Sequence, residues 1–211
     1  MLKRAIVTVL IAASAQLASA SGLKSLEKFL QGTQAGQAEF TQVVTMPAKE
    51  GQAARSKTSS GSFAFQRPGR FKFIYQKPFA QTIVADGQTL WLYDADLNQV
   101  TQRKQADALG STPAALLASA ADLGALRAQF MLEDVPAQDG LEWVQATPKT
   151  QDGQLQRVRV GFVGEQLAAL DILDSFGQRS LIRFSHVQTL PALPPGTFAF
   201  KPPAGADVLR Q

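Results

Sequence analysis

The sequence of 211 residues contains no cysteine and a single histidine, His186. The first absence excludes disulfide bonds, cysteine-ligated zinc sites and a thiol nucleophile. The second excludes a metal site built from several imidazoles. Disulfide scaffolds and multi-histidine metalloproteins are therefore excluded before any pattern in the sequence is considered.

Motifs of the common enzyme classes are also absent. The chain has no nucleophile elbow, no Walker A loop and no dinucleotide-binding glycine motif. His186 directly follows a serine, and strand neighbours point to opposite faces, so these two residues cannot form a nucleophile–base pair. The acidic pairs Asp94/Asp96 and Asp171/Asp174 are typical of turns and solvated strand ends rather than of glycosidase carboxylates. We therefore predict no enzyme activity, no metal site and no cofactor.

A long apolar run is lacking everywhere except near the start of the chain. Lys3 and Arg4 precede the apolar run Ala5–Ala13, and Ala18–Ala20 has the small-x-small pattern of a cleavage site. This arrangement predicts that residues 1–20 are a secretory signal peptide, too short to span a membrane. The mature chain is expected to begin at Ser21, to have no lipidated cysteine and to be soluble outside the cytoplasm.

Charge of one sign is not concentrated in any segment. Removing Lys3 and Arg4 from the 21 basic residues leaves 19 against 17 acidic residues, a net charge of +2. The basic residues are scattered, without a cluster of the kind that follows a phosphate backbone. The sequence therefore predicts no nucleic-acid binding, while a mild affinity for anionic membrane surfaces stays open.

The most regular pattern that is present lies in Gly61–Thr101. Its apolar residues fall on alternate positions, which is typical of strands with one buried face. Asp86-Gly87 lies between two apolar runs and is a strong signal for a hairpin with a type I′ turn. The segment predicts four or five antiparallel strands whose concave side is unusually aromatic, with Phe63, Phe65, Phe71, Phe73, Tyr75 and Trp91.

Two segments are predicted to be helical. Leu23–Gln34 places its apolar residues on one face, and Gly32 marks its end. Asp107–Ala128 is rich in alanine and leucine, and Thr112 followed by proline is a helix start signal. A central glycine favours two short helices here, joined near Ser119–Asp122. The lid helices are thus expected near residues 23–34 and 112–128.

The remainder of the chain again has strand periodicity with turn residues between the runs. The predicted strands are Ala38–Thr45, Phe130–Val135, Leu141–Thr147, Leu155–Val163, Leu167–Leu173, Leu181–Val187 and Thr197–Lys201. About eleven antiparallel strands would curl into a barrel, closed or with a gap, that is wider than side chains alone can fill. The interior then needs a plug or a ligand, and the short helices can supply the plug.

Two features allow a functional and a structural interpretation. Arg67 ends a strand and precedes a proline, so its extended backbone can carry the guanidinium over the barrel mouth to free carbonyls of a lid helix. The alternative is an ordinary exposed arginine. The aromatic stripe can line a cavity or form a solid core. The sequence pattern leaves both pairs of alternatives open.

Four motifs occur together in this chain: Arg67-Pro68-x-x-Phe71, Asp86-Gly87-x-x-Leu90-Trp91-x-Tyr93, Asp96–Thr101, and Thr112-Pro113 before an Ala/Leu segment. Their combination resembles the LolA family of periplasmic lipoprotein carriers. The match is most specific over residues 61–118 and extends more loosely to Thr147-Pro148-Lys149 and Phe198-x-Phe200-x-Pro202-Pro203.

The resemblance implies a mainly β fold with a few short α-helices, an unclosed antiparallel β-barrel capped by a helical lid. Residues 21–211 would form a single carrier domain with an apolar cavity for lipoprotein acyl chains. Arg67 corresponds to the family's lid-latching arginine, and Phe71 to an aromatic residue at the mouth where the inner-membrane exporter docks. We expect the cavity or its mouth to be lined by Phe63, Phe65, Phe71, Phe73, Trp91, Leu116 and Leu117.

The resemblance also implies partners. These are acylated lipoproteins, the inner-membrane lipoprotein-releasing ABC transporter complex and the outer-membrane lipoprotein receptor, with the carrier itself a monomer. Two alternatives remain on the same fold, a receptor-like outer-membrane protein and a periplasmic lipid-binding sensor. The absence of cysteine argues against the receptor, which is anchored through a lipidated cysteine.

Overall fold

The structure is a computed structural model that describes residues 21–48, 51–108, 118, 120, 122–150 and 154–211. The predicted signal peptide, Leu116, Leu117 and the predicted helix start at Thr112 lie outside the described residues. Helices in the described part are α1 (Gly22–Gly32), α2 (Gln105–Ala108) and α3 (Leu123–Gln129). None of these helices is long and apolar enough to cross a bilayer.

The described strands form one 12-stranded sheet. They are β1 (Ala35–Met46), β2 (Arg55–Gln66), β3 (Arg70–Lys77), β4 (Gln81–Ala85), β5 (Thr89–Asp94), β6 (Gln99–Lys104), β7 (Phe130–Gln138), β8 (Leu141–Pro148), β9 (Leu155–Val163), β10 (Gln166–Asp174), β11 (Arg179–Leu190) and β12 (Asp207–Arg210).

The sheet order is β12-β6-β5-β4-β3-β2-β1-β11-β10-β9-β8-β7. Strands that follow each other in a hairpin pair antiparallel, and β1 joins the two halves of the sheet by pairing with β11. Only β12 runs parallel to its neighbour, β6. The outermost strands β12 and β7 are not paired with each other within the described residues. The predicted mainly β, unclosed antiparallel barrel is therefore confirmed, with one strand more than the expected eleven.

The extra strand lies after the last predicted strand, and the strand predicted at Thr197–Lys201 is wrong. Thr197 instead closes a turn, because both its N–H and its hydroxyl donate to the carbonyl of Pro194. After the next two prolines, which lack an N–H for a sheet, the chain reaches the free edge of β6. Asp207 N donates to Asn98 O at 3.0 Å and begins β12.

The Asp86-Gly87 hairpin is confirmed, but its turn is not type I′. The connection between β4 and β5 comprises three residues, and of the two central residues only Gly87 has a positive φ, at 108°. The Asp86 carboxylate accepts hydrogen bonds from Gln88 N at 2.9 Å and Thr89 N at 2.8 Å. An aspartate at the start of a loop commonly accepts backbone N–H groups two and three residues further on, and here these bonds hold the loop without a left-handed residue at Asp86.

Aromatic side chains from β1, β2 and β3 fill the concave side of the sheet, as the alternation predicts. Phe63 lies against Phe73 with ring centroids 4.5 Å apart, and Phe40 meets Phe73 edge to face at 5.3 Å. The rings of Phe63 and Phe184 extend this contact across to β11. The concave core is thus continuous from the first half of the sheet to the second.

A β-bulge in β11 sets which side chains reach this core. The β1–β11 register shifts between Gln37 and Glu39, opposite His186, whose φ is +51°. In a regular strand, residues five positions apart point to opposite faces. Because the bulge adds one residue to β11, Phe184 and Thr189 line the same interior side. His186 is turned outward to Glu39, with Nδ1 and Oε2 3.2 Å apart and both side chains exposed.

We expect Gly61→Ala to destabilise the fold by about 1–3 kcal/mol, because a Cβ there would overpack the contact between β2 and β3. An ideal Cβ at Gly61 would lie 1.9 Å from Ile74 O, whereas one at Gly32 would meet nothing within 4 Å. Urea unfolding of the two alanine variants measures the difference. The packing argument is wrong if Gly61→Ala and the control Gly32→Ala have the same free energy of unfolding.

Candidate functional site

Helix α1 lies on the concave side of the second half of the sheet. Its buried face consists of Leu26, Phe29 and Leu30, and Phe29 packs against Phe65 and Phe162 at centroid distances of 5.9 and 5.8 Å. The first turn fits only because residue 22 is glycine, since a Cβ there would lie 2.4 Å from the backbone carbon of Trp143. The predicted amphipathic helix with its end at Gly32 is confirmed.

The N-terminus of α1 is held by a carboxylate from β7. Asp134 accepts from Ser21 Oγ at 2.6 Å and from Leu23 N at 2.8 Å. Ser21 is itself the N-cap, because its Oγ accepts from Lys24 N. A negative charge at this end is favourable because the helix dipole presents free N–H groups there.

Two further polar contacts, one half-buried and one exposed, tie α1 to the sheet. Ser25 Oγ donates to Glu142 Oε2 on β8 at 2.6 Å. Lys28 Nζ forms an ion pair with Glu165 Oε1 in the β9–β10 turn, also at 2.6 Å, with both side chains largely exposed. Exposed pairs of this kind contribute little stability, so they orient the helix without fixing it.

Arg67 holds the C-terminus of α1. Its Nη1 donates to the carbonyl oxygens of Leu30 at 3.0 Å and Phe29 at 3.4 Å, and to that of Thr33. Its backbone N–H donates to Gln34 O at 2.9 Å. Since the last carbonyls of a helix have no partner within the helix, Arg67 satisfies Leu30 O and Thr33 O, whereas Phe29 O also accepts from Thr33 N.

The Arg67 guanidinium carries its charge in a buried position. Arg67 is 8% exposed, and burial lowers its pKa to about 10, which leaves the guanidinium charged at neutral pH. The ring of Phe29 lies 4.9 Å from the guanidinium carbon and that of Phe65 5.7 Å away. Helix α1 has no basic residue in its own last turn, so Arg67, in the turn after β2, provides the cation that the negative end of the helix favours.

The turn that follows Arg67 also holds a second segment of chain. Gly69 N donates to Ala118 O at 2.7 Å, and Gly69 O accepts from Gln105 Nε2 at 2.6 Å. The other end of the Gln105 amide accepts from Gly87 N at 2.9 Å. The Arg67–Gly69 turn therefore joins α1, α2 and the segment at Ala118 through polar contacts.

Among the described residues, the side chains directly beneath α1 leave little free space between them. Phe29, Phe63, Phe65, Leu167 and Phe184 surround a void of about 10 Å³. A void of this size holds at most about one water molecule. An acyl chain can occupy this position only if α1 moves away from the sheet.

The structure brings four of the sequence-predicted site residues together. Phe63, Phe65, Phe71 and Phe73 belong to one buried cluster with the apolar face of α1. Phe71, which the resemblance places at the cavity mouth, is only 1% exposed. In this conformation its ring is part of the core and is not presented at an opening.

The prediction for Trp91 is wrong. This residue was expected to line the cavity, but it lies on the opposite face of the sheet, in a cluster with Val84 and Phe198. Its indole Nε1 donates to Asp86 Oδ2 at 3.1 Å, and its ring lies 5.4 Å from that of Phe200. The reason is strand alternation, since Leu90 faces the concave core and its neighbour must point outward.

Sequence reasoning also missed side chains that hold the lid. Asp134, Glu142 and Gln105 each contact a helix or turn that is distant in sequence, and no local pattern marks them. Only Asp134 had a possible signal, as an acidic residue exposed on a predicted strand. Leu116 and Leu117 lie outside the described residues.

The acidic pairs behave mainly as turn residues, with one exception. Asp94 Oδ1 caps the β5–β6 turn and Asp174 Oδ1 caps the β10–β11 turn by accepting backbone N–H groups. Asp171 was expected at a solvated strand end but is buried and paired with both Nε and Nη2 of Arg179, at 2.8 and 3.1 Å. Among the described residues no group of three or more potential ligands could hold a metal ion.

Comparison with known proteins places this architecture in one family. The family model "Outer membrane lipoprotein carrier protein LolA" matches residues 31–201. The chain is 67% identical to the outer-membrane lipoprotein carrier protein of Albidiferax ferrireducens, over 97% of this chain and 98% of that protein. It is 50% identical to the protein of the same name from Leptothrix cholodnii, over 92% and 88% of the two chains.

A solved structure has the same fold at low sequence identity. An uncharacterized conserved protein from Thermus thermophilus aligns with a TM-score of 0.51 at 14% identity, covering 90% of this chain and 96% of that one. The structural likeness establishes the fold alone. The extent and identity of the sequence matches establish the family: the chain belongs to the LolA family of outer membrane lipoprotein carrier proteins.

Proposed function

We propose that this protein is a periplasmic carrier that shelters the acyl chains of lipoproteins beneath α1. The observation that carries the proposal is an apolar helix whose position over an aromatic core depends on polar contacts at both of its ends. Such contacts can be broken one by one in water, whereas interlocked side chains separate only with a large loss of packing. Membership of the lipoprotein carrier family supports the same function.

The energy of exchanging α1 for acyl chains is nearly balanced. Leu26, Phe29 and Leu30 are buried by α1, and at roughly 1.5–3 kcal/mol each they contribute about 5–9 kcal/mol. A buried acyl chain contributes about 0.8 kcal/mol per methylene, so roughly six to eleven methylenes replace what the helix loses. A carrier with this balance can load cargo and release it without consuming a nucleotide.

Arg67 sets this balance in our proposal. Its hydrogen bonds exist only when α1 is closed, and charge-assisted bonds of this kind are worth about 1–3 kcal/mol in total. They favour the closed, empty protein and so favour release of the cargo. The acyl chains would lie against Phe63, Phe65 and Phe73 once α1 has moved.

The proposal includes the protein's location and its partners. Residues 1–20 would be removed as a signal peptide, and residues 21–211 would act in the periplasm as a single monomeric carrier domain. Cargo would come from the inner-membrane lipoprotein-releasing ABC transporter complex and pass to the outer-membrane lipoprotein receptor. The names of the relatives and the family model support the lipoprotein as cargo.

The function itself is tested by isolating the protein from the periplasm and identifying by mass spectrometry what has bound to it. We expect acylated lipoproteins or their lipidated peptides. Recovery of a soluble metabolite without acyl chains, in the absence of any lipidated species, would contradict the carrier function.

We expect Arg67→Leu to accept lipoprotein but to transfer it poorly, because the empty closed state loses its advantage. Transfer from the loaded carrier to receptor-containing membranes should slow by about tenfold, which corresponds to roughly 1.4 kcal/mol. Arg70→Leu is the matched control, since Arg70 lies three positions along the chain and its guanidinium faces Phe198 on the convex side. Normal transfer by Arg67→Leu, or an equal defect in Arg70→Leu, would rule out the latch.

We expect Phe71→Ala to reduce the free energy of unfolding by about 3–5 kcal/mol, because its ring is buried in the concave core. Chemical unfolding compared with the exposed Phe79→Ala, which should change stability by at most about 0.5 kcal/mol, measures the effect. A nearly unchanged stability for Phe71→Ala would instead support an accessible ring at a mouth.

A further inference from the structure

Gln105 is a buried polar residue that lies outside the apolar core. It is the first residue of α2, and it is only 3% exposed. Its backbone N–H donates to Gln88 O at 2.8 Å, and its side-chain oxygen accepts from Gly87 N at 2.9 Å. Both partners belong to the turn between β4 and β5. Gln105 is therefore held by this turn through its backbone and through one end of its amide.

The other end of the Gln105 amide reaches the turn that contains Arg67. Its Nε2 donates to Gly69 O at 2.6 Å. The two partners fix the orientation of the amide, because a backbone carbonyl can only accept and a backbone N–H can only donate. A single side chain thus bridges the β2–β3 turn and the β4–β5 turn.

The Arg67–Gly69 turn needs such support because it lies between β2 and β3, outside their hydrogen-bonded ladder. Two backbone bonds also hold it, from Arg67 N to Gln34 O at 2.9 Å and from Gly69 N to Ala118 O at 2.7 Å. Gln105 supplies the side-chain bond and ties the turn to a neighbouring hairpin of the same sheet. The place of Arg67 over α1 therefore depends in part on Gln105.

The hydrogen bonds from the Arg67 guanidinium to the end of α1, which we call the Arg67 latch, tolerate little displacement. Nη1 lies 3.0 Å from Leu30 O and 3.4 Å from Phe29 O. Since hydrogen bonds weaken when the donor moves away or loses its alignment, a shift of the turn by about 0.5 Å would weaken the latch. A residue that fixes the turn can therefore control how well α1 is held.

We propose that Gln105 is a positioning residue for the Arg67 latch. Its amide fixes Gly69 against the β4–β5 turn, keeps the guanidinium within reach of the α1 carbonyls and so favours the closed, empty protein. None of the hydrogen bonds of Gln105 within the described part of the chain goes to α1, so its effect on the helix passes through the turn. Its effect on transfer rests on the proposed carrier function, whereas its effect on α1 requires no cargo.

The experiment compares Gln105→Met, Arg67→Leu and the double variant of the mature chain. Methionine has nearly the length of glutamine but cannot donate to Gly69 O. Hydrogen–deuterium exchange of the α1 amides in the empty protein, measured by mass spectrometry, reports how often the helix opens. Transfer of lipoprotein from the loaded carrier to receptor-containing membranes is measured in parallel.

We expect Gln105→Met to accelerate α1 exchange and to slow transfer, each by about threefold, while loading stays normal. Because Gln105 acts through Arg67, the double variant should have the same exchange and transfer as Arg67→Leu alone. Two independent defects would instead multiply. This non-additivity separates a positioning role from a general contribution to stability.

Gln145→Met is the matched control. Gln145 is a half-buried glutamine on β8 whose amide donates to Glu133 Oε1 at 2.7 Å and accepts from Arg159 Nε at 2.9 Å. Its side chain lies on the face opposite α1, because its neighbour Val144 faces the concave core. This control should leave α1 exchange and transfer unchanged.

A second variant covers the case in which Gln105→Met does not fold. Gln105→Asn keeps the amide but is one methylene too short to span both turns, so we expect the same defects from it. Three results would overturn the proposal: unchanged α1 exchange in the Gln105 variants, defects that multiply in the double variant, or an equal acceleration of α1 exchange in Gln145→Met. If the unmodified chain bound no lipoprotein, the carrier function would be wrong, and α1 exchange would still decide the role of Gln105.

Discussion

The contact on which the structure depends is that between the Arg67 guanidinium and the carbonyls at the end of α1. It places a buried positive charge where the helix dipole is negative and where backbone acceptors have no partner within the helix. Removing either side would leave buried polar groups without compensation, which costs more than the bond itself contributes. The same contact joins β2, which belongs to the rigid aromatic wall, to the helix that covers it.

Around this contact the molecule separates two kinds of stabilisation. The aromatic wall of β1, β2 and β3 is held by sheet hydrogen bonds and by interlocked rings. These ring contacts cannot be separated one at a time without a loss of packing. Helix α1 has an apolar face that an acyl chain can replace and polar ends at Asp134 and Arg67 that water can replace. In the proposed mechanism, a lid built in this way leaves the wall without unfolding it, so the tightly packed interior of the described residues is compatible with the carrier function.

Much of the fold could be predicted from the sequence because its signals are local. The alternation in Gly61–Thr101, the apolar face of α1 and the turn residues each depend on a few neighbouring residues, and the structure has the predicted strands and helix there. The strand predicted at Thr197–Lys201 is wrong because these residues alternate in polarity but form the hydrogen bonds of a turn. Strand β12 could not be predicted, because only the free edge of β6 accounts for it and its own residues carry no strand signal. The prediction that Trp91 lines the cavity is wrong for a different reason. It gave more weight to the aromatic character of Trp91 than to the strand alternation, which puts this residue on the convex face.

The site was harder to predict because its parts are distant in sequence. Arg67 could be singled out from its place before a proline at a strand end, but its acceptors at Phe29, Leu30 and Thr33 could not. The contact of Asp134 with the start of α1 spans more than a hundred residues. Contacts of this kind follow from the pairing of β1 with β11, which brings the two halves of the sheet together, and no window of sequence contains that information.

The central claim is that α1 must leave the sheet before acyl chains can bind, and a covalent lock tests it most directly. Lys28→Cys with Glu165→Cys places the only two thiols of the chain at an exposed contact between α1 and the β9–β10 turn, where a short bismaleimide can join them. The linked protein should bind a triacylated lipopeptide at least about a hundredfold more weakly than the same variant with each thiol capped separately, a difference of about 2.7 kcal/mol. A linked Thr45→Cys, Ser56→Cys pair, which joins β1 to β2 and leaves α1 free, should bind normally. Equal binding by the protein with locked α1 would contradict the account.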